Sequence, residues 1–164
     1  MQTRSQHQQR VDAFMRLALQ DLPDYPVIPS AAVRELRARL ILEEALETVM
    51  GLGFETEVIS RQVILSPTAA GPNLVEIVDG CLDVKVVTTG TLSACGVPDD
   101  ELQRMVDLNN LAKFGPGGHR REDGKWIKPP DHKPPAIGEF LQKQSPIGPV
   151  VGNMAGIDRI DIKP

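Results

Sequence analysis

Apolar residues recur at helical spacing near the start of the chain. Val11, Phe14, Met15, Ala18 and Leu19 fall on one stripe, which predicts a short amphipathic helix over 8–20. Residues 21–30 hold three prolines, which cannot donate to a helix and clash with its preceding turn, so an extended connector follows. Ser30 is placed to cap a second helix over 31–50, built from strong helix formers and stopped by Gly51 and Gly53. Residues 54–70 are looser; Glu57 to Leu65 reads either as a short strand pair or as an irregular excursion, with a loop from Ser66 to Pro72. Asn73 opens a third helix over 73–95. Val84, Val86, Val87, Thr88 and Thr89 prefer strands, yet the length of the proline-free run favours a buried helix. Pro98, Asp99 and Asp100 open another helix, running to about Phe114, with acids at its positive end. Gly115 to Gly118 ends it. Residues 119–135 carry bases, four prolines and Trp126, and form either an ordered arm or a flexible tail. The expected fold is all-α, a four-to-five-helix bundle in a single domain 1–164, with a helical core at about 8–114, a basic Pro/Gly-rich arm at 115–144 and a weakly ordered tail at 145–164.

Composition supports helices. Aromatic residues are 4% of the chain and hydrophobic residues 41%, so the core must be built from Leu, Val, Ile, Ala and Met. The net charge of −4 makes a nucleic-acid surface an unexpected partner. Cys81 and Cys95 lack the spacing of a metal or redox motif and read as reduced thiols. No apolar leader and no run near the ~18 residues of a membrane span is present, so a soluble, cytoplasmic protein without a membrane partner is expected.

The carboxylates narrow the chemistry. Glu43, Glu44 and Glu47 lie within an arc of about 100° on the second helix, whose other positions are mostly apolar. Glu76, Asp79 and Asp83 lie within about 60° on the third, among Leu, Val and Ile. Lys85 projects to the opposite side. An apolar helix is expected to be buried, and buried unpaired carboxylates cost several kcal/mol each. Cations between the two stripes would relieve that cost. Oxygen donors without histidine favour Mg²⁺, with Mn²⁺ as a substitute, over Zn²⁺ or di-iron. The plainer alternatives are a solvated helix face and ion pairs to Arg34, Arg37 or Arg39.

The pattern Glu43-Glu44-Ala-Leu-Glu47 followed by Glu76-Ile-Val-Asp79 resembles the MazG-like and phosphoribosyl-ATP-pyrophosphohydrolase-like nucleoside triphosphate pyrophosphohydrolases. The segments RLILEEALE, EIVDGCLDVKVVTTGTLSACGV, NNLAKFGPGG and REDGKWIKPP extend the resemblance from about Val11 to Pro135. Asp83 suits the motif aspartate slot as well as Asp79 does, so both stay candidates. The resemblance implies a Mg²⁺-dependent enzyme that converts an NTP or dNTP to a monophosphate and pyrophosphate, by water attack at the α-phosphorus, as nucleotide-pool housekeeping. It implies Glu44, Glu47, Glu76, Asp79 and Asp83 as metal ligands, with Glu43 or Glu44 orienting or deprotonating the water. Asn110 and Lys113 would line the nucleotide site, and Arg120, Arg121, Lys125 and Lys128 would close over the phosphates. Trp126 either stacks on a base or pins the arm, the pin being the favoured reading, and Phe14 reads as core or pocket wall. A homodimer or higher homo-oligomer is expected, with the active site near the subunit interface. The competing functions are a non-catalytic metal- or nucleotide-binding module and a structural helical oligomerisation protein.

Overall fold

The computed structural model describes residues 3–60, 62–122, 124, 126–146 and 161–162. Backbone contacts divide the chain into two compact units, Met1–Val27 with Gly96–Val151 and Ile28–Cys95 with Gly152–Pro164.

In the first unit, the Ser5 hydroxyl accepts the Gln8 N–H and caps α1 (Gln6–Leu17), satisfying one of its orphan donors. Val11 and Met15, one turn apart, are buried. The helix closes with Gln20 N–H donating to Met15 O and Leu19 N–H to Arg16 O, which leaves Leu19 at φ 57°. Gln8 is fully buried and clamps the loop before α4 (Asp100–Ala112): its Nε2 donates to Val97 O, and its Oε1 accepts the Asp99 N–H. Asp99 in turn accepts from the backbone and the hydroxyl of Ser5. A short hairpin of β3 (His119–Arg120) and β4 (Trp126–Ile127) and the helix α5 (Ile137–Gln144) complete this unit. The arm is tied to α4. Trp126 Nε1 donates to Lys113 O at 2.6 Å and stacks on Phe114 at 4.7 Å, and Asn109 Nδ2 donates to Lys133 O. Trp126 is thus a pin, as the sequence suggested.

The second unit is an antiparallel helix pair, α2 (Ala31–Gly51) and α3 (Leu74–Ala94), joined through β1 (Phe54–Ile59) and β2 (Gln62–Pro67). β5 (Asp161–Ile162) lies parallel to β2 at Gln62 and Val63. The two helices approach closely because Gly80 faces Thr48, where an added Cβ would lie 2.5 Å from the threonine hydroxyl. Asn73 caps α3, as expected. The β-branched run of α3 is helical, and the Thr88 and Thr91 hydroxyls are satisfied within it by donating back to Val84 O and Val87 O.

The all-α expectation is therefore corrected. Among the described residues 53% are helical, in five helices, and two small antiparallel hairpins stand beside them. Residues 54–67 hold β-branched pairs, Val58 with Ile59 and Val63 with Ile64, that suit an extended strand, and Ser60 just after β1 stands at φ 47°. The bundle expectation gives way as well. Among the described residues, α2 with α3 is the helix pair in extensive backbone contact.

Candidate functional site

The register set by Gly80 on Thr48 decides which acids meet. One turn before Thr48 on α2 stands Glu44, and about one turn after Gly80 on α3 stands Asp83. Burial first, then the charges of Asp83, Glu47, Glu43 and Asp79 in that order, push the Glu44 carboxyl above the usual carboxylate value. Among the described residues, the charges that shift it are all negative. The two acid stripes of the sequence do come within electrostatic reach of one another across the helix pair.

Their burial differs from expectation. Glu44 is half-buried, but Glu43, Glu47, Glu76, Asp79 and Asp83 are exposed in the single chain. The reason is that their apolar neighbours are exposed too: Leu42, Met50, Val78 and Leu82 are each more than half exposed. In this unit the buried hydrophobic side chains among the described residues are Val87 and Ala94 alone. A helix that is apolar all round predicts burial, and one chain by itself does not supply the cover.

Glu76, in the first turn of α3, stands apart from the Glu44 group. With Glu47 and with Glu55 of β1 it lines an open hollow of about 600 Å³ at the foot of the hairpin, bordered by Thr68, Ala69, Ala70, Gly71 and Asn73. Thr68 also lines it, and its buried hydroxyl oxygen has no hydrogen-bond partner. Sequence reasoning missed Glu55 and Thr68. Only the strand register brings a hairpin glutamate beside the acids of two helices. A second hollow, of about 320 Å³, runs along α3 between Leu74, Val75, Val78, Asp79 and Leu82.

The arginines expected to compete for these acids are engaged elsewhere. Arg39 pairs with Glu35 at 2.7 Å, and Arg34 donates to Pro29 O. Arg37 is buried, and burial lowers its pKa while Cys95 beside it raises it. The substrate-binding candidates belong to the other unit. Lys113 Nζ donates to Asn110 Oδ1 at 2.6 Å at the end of α4. Arg120, Arg121 and Lys128 are exposed on and beside the short hairpin, and Lys125 lies outside the described residues. Phe14, expected as core or pocket wall, is exposed on α1.

Among the described residues, no three His, Cys, Asp or Glu side chains already converge on one point as a metal would need. The donor set nevertheless fits a hard cation. All the groups around Glu44 are carboxylates, they repel one another, and Mg²⁺ takes a few such oxygens plus water and phosphate. Among the described residues, no helix is long and apolar enough to cross a membrane. The chain matches no model of a known protein family and no curated protein.

Proposed function

We propose that the protein is a Mg²⁺-dependent nucleoside triphosphate pyrophosphohydrolase, similar to the MazG-like and phosphoribosyl-ATP-pyrophosphohydrolase-like enzymes, acting in the cytoplasm on the nucleotide pool. The observation that carries the reading is the packing of α2 on α3, which sets Glu44 among the charges of Asp83, Glu47, Glu43 and Asp79, with no base acting on it among the described residues.

Glu44, Glu47, Glu76, Asp79 and Asp83 are the residues that would hold Mg²⁺. When bound, the cation neutralises phosphate oxygens and makes its water more acidic. Whichever of Glu43 and Glu44 is not ligating the cation would orient the attacking water or take its proton. Asn110 and Lys113 bind sugar or phosphate, and Arg121, Lys125 and Lys128 offset the charge of the leaving pyrophosphate. In this reading the chain works as a homodimer or higher homo-oligomer, because α2 and α3 expose Leu42, Met50, Leu74, Val75, Val78 and Leu82 to water.

The direct test is product analysis with Mg²⁺ and a panel of NTPs and dNTPs. Pyrophosphate and a monophosphate are expected. Glu47→Gln should lower the rate by about a hundredfold or more, the usual scale for losing a group that stabilises or positions the reacting phosphate. Orthophosphate as product, or an unaltered rate in Glu47→Gln, refutes the proposal.

A further inference from the structure

The two strands of the hairpin differ in charge. The sheet runs β1-β2-β5, so β1 and β2 each turn one side away from the other. β1 carries Glu55 and Glu57. Pairing β1 with its own copy about Thr56 would set Glu55 opposite Glu57, and like charges directly opposite are destabilising. Acids on an edge strand thus protect it from unwanted pairing. β2 has no charged residue from Gln62 to Pro67. Its Ile64 and Leu65 are each 42% exposed. An uncharged, exposed, apolar edge is a template for a further strand.

The end of the chain lies on that edge. β5 pairs with β2 in parallel, Asp161 beside Gln62 and Ile162 beside Val63. Among the described residues, Ile64, Leu65, Ser66 and Pro67 have no neighbouring strand on that side. A pairing this short is weak, and parallel ladders are slightly less stable per residue than antiparallel ones.

We propose that the outer edge of β2 is an interface for β2 of a second copy, and that the C-terminal strand guards it. A two-fold axis through the sheet at Ile64 gives an antiparallel pairing. Ile64 then faces its own counterpart, Val63 faces the partner's Leu65, and Gln62 faces the partner's Ser66. Apolar meets apolar, polar meets polar, and no like charges oppose each other. This pairing runs from Gln62 to Ser66, longer than that of β5, but it bears the cost of bringing two molecules together. The tethered β5 escapes most of that cost. The guard therefore holds the edge in the dilute full-length protein, and its loss hands the edge to a second copy. The interface is separate from the apolar strip of α3 and does not depend on the hydrolase reading.

The experiment is sedimentation of full-length proteins at equal micromolar concentration. Asp161→Pro with Ile162→Pro removes both backbone donors that β5 can offer. This double variant should show about twice the mean mass of wild type, whatever assembly wild type has through other surfaces. Adding Ile64→Lys sets like charges opposite at the axis and should return the mass to the wild-type value. Ile64 is exposed, so the substitution should leave the fold intact, as circular dichroism would verify. Ile64→Glu in the same double-proline background should behave alike, and mixing the two should restore the doubled mass, because opposite charges then meet. A second measurement reads the guard by itself. Amides of 62–64 should exchange hydrogen faster in the double-proline protein carrying Ile64→Lys than in the protein carrying Ile64→Lys alone. A double-proline variant that sediments as wild type overturns the proposal. So does a gain in mass that survives Ile64→Lys, a mixture that stays at the wild-type mass, or unchanged exchange.

Discussion

Leu19 holds a backbone conformation that suits glycine. At φ 57° an L side chain crowds the following carbonyl, at a cost of roughly 1–2 kcal/mol, and at 93% exposure this leucine recovers little by burial. Glycine would remove the clash and give back about 0.5–1 kcal/mol of that in unfolded-chain entropy. Leu19→Gly is expected to raise stability by about 0.5–1 kcal/mol in urea unfolding; a loss would show that the strain is absent. Glu44 is the residue with the sharper functional signature. Its folded pKa lies above the ordinary value of 4.5, so its protonated form is favoured by folding. The stability it contributes is present at low pH and is lost as pH rises from about the ordinary carboxylate range through the raised value. Glu44→Gln should therefore make the metal-free protein more stable than wild type at neutral pH and equal to it at acid pH. The same variant should lose any stabilisation by Mg²⁺. Unfolding curves across pH that stay parallel for the two proteins would refute this. The glutamates themselves were legible from their spacing. Their exposure was not, because it depends on what covers the neighbouring leucines.

Among the elements, the α2–α3 pair rests on one close approach. Gly80 leaves no room for a side chain against Thr48, whose hydroxyl already donates to Glu44 O. Gly80→Ala is expected to cost about 1–3 kcal/mol, the usual scale of overpacking. It should also weaken metal binding, because it moves the helix that carries Asp79 and Asp83 away from Glu44. A variant of full stability and unchanged Mg²⁺ affinity would show that the helices do not need this contact. Most element boundaries followed from local chemistry: Ser30 and Asn73 cap their helices, and Gly53 at φ 92° turns the chain after α2. The hairpin was only half legible. The stretch from Glu57 to Leu65 carries strand-forming residues, but a strand is made by its partner, and the register of Thr56 on Leu65 and Val58 on Val63 is a tertiary fact.

At the scale of the whole molecule, the balance of apolar surface is the main constraint. Leu74, Val75, Val78 and Leu82 form an apolar strip on α3 with Asp79 at its edge. Covering this strip with a second copy is expected to make the wild-type protein larger in solution than its 17.9 kDa chain. Leu82→Glu, which would place a charge in that contact, should shift sedimentation toward the monomer. A wild-type monomer at micromolar concentration would refute the proposed assembly. Mg²⁺ at a hundredfold excess over its dissociation constant should add about 2.7 kcal/mol to stability and raise the melting temperature by several degrees. An unmoved melting temperature would favour the structural reading of the acids.

The residues of the chain, taken alone, settled where α2 and α3 start and stop and which acids share a helix face, because caps, prolines and a 3.6-residue period act over a few positions, but they missed α5 inside the expected arm. They also marked the basic arm that Trp126 pins to α4. Tertiary structure decided the strands of the hairpin, the pairing of Glu44 with Asp83, and the placing of Glu55 beside Glu47 and Glu76. Those juxtapositions depend on register and close approach between elements far apart along the chain, which local preference does not encode.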